Sequence, residues 1–225
     1  MKALAVHSAT NCITFIAKNI DKKAILSLDV GMHQSEKVVP GIQYVLEQVG
    51  LTPAELEFTS LCLGPGSFTG LRISFAALKA FELAYKVPVY GIPTLETFFY
   101  PFKEFKGAIL PVIDAKKDCF YASVYRSGIE ITEPMDADIN TIASLLDPEE
   151  QIIAIGYDAE YFKECLHTIR PGQDIITFTF TDSGIAEALL EIGNQRFLNK
   201  EKGLQEYEGP VYIRKSEAEL SLEKS

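Results

Sequence analysis

Gly64-Pro65-Gly66-Ser67-Phe68-Thr69-Gly70-Leu71-Arg72 is the stretch on which the reading of this chain turns. The apolar run Leu61-Cys62-Leu63 enters it as the end of a buried strand, and a helical pattern from Leu71 to Lys86 leaves it. Its three glycines permit left-handed turns and close backbone approach. Ser67 and Thr69 each carry an oxygen that can cap the helix, and such a helix start also suits an anion. Neither common phosphate signature fits: there is no Gly-Lys-Ser/Thr ending, and G-x-G-x-x-x-G is one residue too long for the dinucleotide fingerprint. Two readings stay open. The loop is a tight strand-to-helix turn, or it contacts a nucleotide or partner through Gly64, Gly66, Ser67, Thr69, Gly70 and Arg72.

Upstream of the loop, Lys2–His7, Cys12–Lys18 and Ala24–Val30 read as strands. A helix follows from Glu36 to Gly50, capped by Ser35, with Val38, Val39, Ile42, Val45, Leu46 and Val49 at helical spacing. Thr52-Pro53-Ala54-Glu55 is a capping box that opens a short helix. Thr59–Leu63 is the strand before the loop, Val87–Tyr90 a strand after the long helix, and Thr94–Phe99 a short helix. The order then restarts. Gly107–Asp114 and Cys119–Arg126 read as strands, and Gly128 opens a short third one. Ile139–Leu146 and Ala159–Thr168 are helical, Gln151–Ile155 and Asp174–Phe178 are strands, and a helix runs from Asp182 to Leu198. Strands alternating with helices predict parallel sheet flanked by helices. The repeated order predicts two related α/β domains, 1–102 and 103–225, joined near Phe102–Lys106. The polar tail from Gly203 could add a strand or pack back at Pro210-Val211-Tyr212-Ile213-Arg214.

In the long helix Leu71, Phe75, Leu78 and Tyr85 form one apolar face, and Ile73, Ala77, Ala80 and Ala84 a second face of mostly small side chains. A helix apolar on two sides is buried on two sides. Packing within the monomer explains the second face. So does a subunit contact, in which Ile73, Ala77, Ala80 and Ala84 meet a partner together with Val38, Ile42 and Val45 of the neighbouring helix.

The 225 residues, 47% of them apolar, suit one large folded domain or two small ones. No apolar run reaches the roughly 20 residues that cross a bilayer, and Met1–His7 reads as a strand rather than a signal peptide. Cys12, Cys62, Cys119 and Cys165 form no C-x-x-C pair and read as reduced, buried thiols of a cytoplasmic protein. A net charge of −10 is opposite to what a phosphate backbone needs, so any dealing with RNA runs through a basic partner.

Catalytic candidates are sparse. His7, His33 and His167 stand in no metal-ligand spacing. His7 ends the first strand and His33 precedes a helix. Asp114 ends a strand, where it orients a ligand or simply terminates the element. No G-x-S-x-G elbow is present.

Gly64–Arg72 followed by Ile73-Ser74-Phe75-Ala76 resembles the signature loop of the TsaB (YeaZ) family. The likeness continues through Lys79, Gly91 and Leu110-Pro111-Val112-Ile113-Asp114-Ala115-Lys116-Lys117. It ends in Pro210–Arg214 with Glu217-Ala218-Glu219. Gln34-Ser35-Glu36 resembles the family's His-Ser-Glu helix start, with Gln34 in the histidine's place. The resemblance implies an actin-like ATPase fold of two duplicated α/β halves with mixed sheets. It also implies a subunit without catalytic residues, metal or cofactor of its own, acting in threonylcarbamoyladenosine modification of tRNA. Its partners would be the transferase TsaD, docked through N-terminal-domain helices, and the ATPase TsaE, with tRNA met only through the complex. Apart from the resemblance, the same helix face offers a third alternative, a homodimer formed when the partner is absent. One departure stands out: the family's first strand ends Asp-Thr-Ser, whereas here it ends Val6-His7-Ser8. An imidazole is a poor substitute for an oxygen ligand of magnesium. The competing expectation is an active actin-like ATPase or kinase, or a metallopeptidase.

Overall fold

The computed structural model describes residues 1–179 and 182–214. The first sheet holds β1 (Lys2–His7), β2 (Cys12–Asn19), β3 (Lys22–Asp29), β4 (Phe58–Gly64) and β5 (Val89–Pro93), in the order β3-β2-β1-β4-β5. β1, β2 and β3 are antiparallel, while β4 runs parallel to β1 and β5 parallel to β4. Helices α1 (Gln34–Val49) and α2 (Phe68–Tyr85) fill the connections, and α3 (Thr94–Phe99) follows β5. The second half contains β6 (Ala108–Lys116), β7 (Cys119–Ala122), β8 (Tyr125–Arg126), β9 (Ile129–Glu130), β10 (Met135–Asp138), α4 (Ile139–Ser144), β11 (Ile152–Ile155), α5 (Ala159–Ile169) and β12 (Ile175–Phe178). Its strands lie in the order β10-β7-β6-β11-β12. Counted within its own half, each sheet follows one plan: three antiparallel strands, then two parallel ones entered through helices. This is the duplicated α/β architecture expected for the actin-like ATPase fold.

The first sheet is buried on both faces, which is why β1 reads as an unbroken apolar run. On one face Leu4, Val6 and Phe15 pack against Val38, Ile42, Val45, Leu46 and Val49 of α1 and Leu78 of α2. On the other, Ala3, Ala5, Ile16 and Phe58 meet Ala186, Leu189 and Ile192 of a last helix, α6 (Asp182–Leu198). Gly193 is pressed so close to the sheet that a Cβ there would stand 2.9 Å from the Ser60 side chain. Arg196 of α6 also donates to the Gly91 carbonyl at 2.7 Å and pairs with Glu96 at 2.9 Å. The compact units are therefore Met1–Lys103 with Thr179–Pro210, and Glu104–Phe178 with the segment from Val211 on. This departs from a second domain running unbroken from residue 103. The bare second face of the first sheet draws in α6 and the stretch after it. In that stretch Leu204 N–H donates to the Val89 carbonyl at 2.7 Å and covers the β5 edge.

Several local expectations change. α1 starts one residue before Ser35, at Gln34, and its N-cap is His33 with no side-chain cap bond. The Thr52–Glu55 box forms, with Thr52 N–H donating to Glu55 Oε2 at 2.9 Å, but it closes only a single 3-10 turn, Pro53–Glu55. The third strand of the second sheet is β10, not the piece after Gly128, which forms the small β8–β9 hairpin. Pro210–Arg214 adds no strand. It packs back through Arg214, which donates to both Asp136 oxygens (2.6 and 2.7 Å) and to the Ala115 carbonyl (2.6 Å). Glu217-Ala218-Glu219 lie outside the described residues. None of the four cysteines is in a disulfide, yet only Cys62 is buried; Cys12, Cys119 and Cys165 are half-buried. Among the described residues no helix is long and apolar enough to cross a membrane.

Candidate docking face and glycine loop

The loop between β4 and α2 is shaped by what it leans on. Gly66 has φ +153°, and a Cβ there would lie 2.3 Å from the Ala9 carbonyl oxygen. Ser67 N–H donates to that same carbonyl at 2.7 Å. Ser67 is the N-cap, its Oγ accepting from Gly70 N–H at 3.2 Å. Thr69 lies inside the first turn and is exposed. A Cβ on Gly70 would stand 2.0 Å from the Ser8 carbonyl oxygen and 2.6 Å from Gln34 Oε1. The helix thus sits against the β1–β2 connection as only glycine permits.

Hydrogen bonds lock this approach. Ser8 Oγ donates to the Gly70 carbonyl at 2.9 Å and lies 2.5 Å from Ser74 Oγ. Gln34 Nε2 donates to the carbonyls of Thr10 (2.9 Å) and Asn11 (3.1 Å), bringing the start of α1 onto the same turn. Sequence reasoning missed Ser8 and Gln34 as the loop's supports. The signal was Gly66 and Gly70 themselves, which imply a close neighbour without naming it. A cleft of about 260 Å³ remains, lined by Asn11, Asp29, Gly31, Gln34, Ser67 and Thr69. That is below the roughly 300 Å³ at which ligand pockets begin. Arg72 is exposed, its guanidinium carbon 3.9 Å from the Phe68 ring centroid.

His7 points into the core. It is fully buried, with Nδ1 3.0 Å from Cys62 Sγ. Burial pushes the Cys62 thiol up to about 12, against the opposing hydrogen bonds of Thr97 and Thr94. The pair is a buried contact between β1 and β4. Asp114 does not end its strand, since β6 continues to Lys116. Its Oδ1 accepts from Lys116 N–H at 2.7 Å and the Lys116 ammonium pairs with its other oxygen. Burial works to raise the Asp114 carboxyl, but the hydrogen bonds and charge of Lys116 outweigh it and leave it below the usual carboxylate range. His33 is exposed, beside Glu36.

The helices separate the docking candidates into two groups. Val38, Ile42 and Val45 are at most 4% exposed and belong to the core against the first sheet. They are not on a docking surface, because the apolar stripe of α1 is consumed by its own sheet. What α1 offers outward is Val39, 62% exposed, and Tyr44, 49% exposed. α2 differs. Leu71, Ser74 and Leu78 face inward, and Ile73 and Ala77 are half-buried at the margin. Ala76, Ala80, Leu83 and Ala84 are exposed. Positions 73, 76, 77, 80, 83 and 84 share helical spacing, so one side of α2 is a row of small or apolar side chains. α1 and α2 pack together, and α2 ends at Lys86 with φ +61°. Ala76 and Leu83 were legible in the same periodicity and were missed.

Comparison with known proteins gives a consistent picture. A family model described as TsaD, tRNA N6-adenosine threonylcarbamoyltransferase, matches residues 28–219. The chain is 24% identical over 194 residues to the tRNA threonylcarbamoyladenosine biosynthesis protein TsaB of Bacillus subtilis, covering 83% of this chain and 82% of that protein. It is 26% identical over 231 residues to TsaB of Escherichia coli, covering 97% and 96%. Its fold matches the structure of YeaZ from Pseudomonas aeruginosa with a TM-score of 0.75 at 18% identity, over 94% of this chain and 99% of that one.

Proposed function

The chain belongs to the TsaB (YeaZ) family, and from that premise we propose that it serves threonylcarbamoyladenosine modification of tRNA as a non-catalytic cytoplasmic subunit that docks on TsaD and helps recruit TsaE. The observation that carries the docking reading is the exposed row Ala76, Ala80, Leu83 and Ala84 on a helix whose opposite side is core. Small side chains let a second helix come near, and Leu83, 72% exposed, supplies an apolar anchor. The glycine loop in this reading is the rigid mount of α2: Ser8, Gln34 and Ala9 fix the helix start and so fix the angle of the docking row. A net charge of −10 leaves contact with tRNA to the basic surface of a partner.

The test is co-elution with TsaD and reconstituted threonylcarbamoyl transfer. Ala80→Arg places a charged side chain in the middle of the row without touching the core, so binding and supported transfer fall together while the melting temperature holds. Binding that survives Ala80→Arg and Leu83→Arg removes α2 from the interface. The match to a transferase family model favours one competing reading, an enzyme in its own right. Turnover by the purified chain alone, with ATP and magnesium or with a peptide and zinc, establishes that reading and ends the scaffold proposal.

A further inference from the structure

The stretch after α6 does more than cover β5. Leu204 N–H donates to the Val89 carbonyl, and a Cβ on Gly203 would stand 3.0 Å from the Val89 carbonyl oxygen and 3.4 Å from Pro88 Cβ. Farther along, Lys79 Nζ of α2 donates to the carbonyls of Leu204 (3.1 Å) and Gln205 (3.4 Å), and Glu82, one turn on, meets its charge. These contacts fix the direction in which the stretch crosses α2. Lys202 lies toward Pro88 and the end of the helix, and Glu206 lies toward Lys79. Between stretch and helix runs a groove of about 920 Å³, with Phe75, Leu83, Pro88 and Leu204 as its apolar lining. That volume is near the top of the range in which pockets enclose a ligand.

The charges along this groove are unevenly spent. Lys79 is engaged by Glu82 and by two carbonyls. Lys86 and Lys202 also line the groove; both are exposed, and among the described residues neither forms an ion pair. Both stand at the Pro88 end. One end of an apolar floor therefore carries two unmatched ammonium groups, in a chain whose net charge is −10. An anionic occupant relieves their mutual repulsion and a cationic one adds to it. Glu206, toward the other end, sets the polarity by keeping an occupant's carboxylates with the lysines. A small anion has no use for four apolar side chains, whereas a peptide segment uses both features, an apolar side chain on the floor and carboxylates at the rim. Leu83, 72% exposed, belongs both to the α2 row and to the wall of the groove. A partner seated on the row thus meets the groove without a break in the surface.

We propose that the groove seats an acidic peptide segment of the partner that docks on α2, its carboxylates at Lys86 and Lys202 and an apolar side chain against Leu83 and Leu204. The inference rests on the docking reading above and adds the chemistry of the partner's contact. The experiment is titration of the full chain with TsaD at low and high salt. Lys86→Glu and Lys202→Glu each weaken binding about fivefold at low salt and together about twentyfold. The loss shrinks at high salt, where exposed charges are screened. Lys22→Glu is the control: it changes the net charge by the same amount at β3, the opposite edge of the sheet from β5, and leaves binding unchanged. Circular dichroism confirms that the variants, all at exposed positions, keep the fold. If Ala80→Arg abolishes binding while the groove reversals act no more than Lys22→Glu, the docking row stands and the acidic segment is refuted. Reversals that tighten binding refute it too, because the segment is then basic. Binding indifferent to Ala80→Arg, Leu83→Arg and both reversals removes α2 from the interface and the inference with it.

Discussion

Gly70→Ala pits a local preference against a tertiary contact. In an exposed helix the change stabilises by about 1 kcal/mol, because alanine gives up less conformational freedom. Here the new Cβ would meet the Ser8 carbonyl oxygen at 2.0 Å and Gln34 Oε1 at 2.6 Å. The glutamine can rotate; the Ser8 backbone cannot. α2 and the β1–β2 turn must part by about 1 Å or more before contact becomes ordinary. That movement strains the buried bonds from Ser8 Oγ to the Gly70 carbonyl (2.9 Å) and to Ser74 Oγ (2.5 Å). Overpacking costs about 2 kcal/mol and the weakened hydrogen bonds about 1 kcal/mol, against the helix gain of about 1 kcal/mol, for a net loss of about 2 kcal/mol. Urea denaturation followed by far-UV circular dichroism measures it, since the chain has no tryptophan. Hydrogen exchange of the α2 amides assigns the loss to the first unit. Gly50→Ala is the control: nothing lies within 4 Å of its Cβ, and only its φ of +69° resists. A Gly70→Ala protein as stable as wild type, or more stable, would refute the close approach on which the mount of α2 depends.

Arg214→Ala removes the paired bonds to Asp136 and the bond to the Ala115 carbonyl. It should cost the second unit about 1–3 kcal/mol and speed hydrogen exchange around Ala115–Tyr121; Arg214→Lys recovers only part, because an ammonium cannot form the fork. Unaltered exchange there would mean the segment is not held by Arg214. Cys62, with its thiol raised to about 12 and no exposure, should resist a disulfide reagent in the folded protein while Cys12, Cys119 and Cys165 react; equal rates for all four would contradict its burial. Hydrogen bonding from Arg126, opposed by burial and aided by the Asp147 N–H, holds the Glu150 carboxyl below its ordinary value. A lowered folded-state value contributes stability that is present above the unfolded value, about 4, and lost as pH falls through the folded one. The second unit should therefore weaken in that acid window, and Glu150→Gln should flatten the loss; an identical acid profile in the variant would show the pair to be inert.

The fold was largely legible because its period changes are written in the chain. β1, α3 and α6 coincide with their sequence patterns, and β2, α1, α2 and α5 do so within a few residues. β10, Met135-Asp136-Ala137-Asp138, escaped because its alternation lasts only 4 residues, with Met135 and Ala137 as its two inward apolar side chains, too short a run to stand out from a loop. The glycine loop was found, but its supports were not, since Ser8 and Gln34 lie far from it in sequence and carry no marker of their own. Val38, Ile42 and Val45 were assigned to a partner because an apolar stripe looks alike whether it faces its own sheet or another chain.

The sequence by itself determined the α/β class, the duplicated order of elements, the helix that leaves the glycine loop and the net charge of −10. Each of these is a property of neighbours in the chain or of composition. Only the tertiary structure decided which face of α1 is spent on the core, that α6 returns to cover the first sheet, that His7 is sealed against Cys62, and that β3 is left as an open edge while β5 is covered. Those outcomes depend on which distant surfaces meet: an apolar face buries itself wherever a complementary one is bare, and the order of residues does not say where that is.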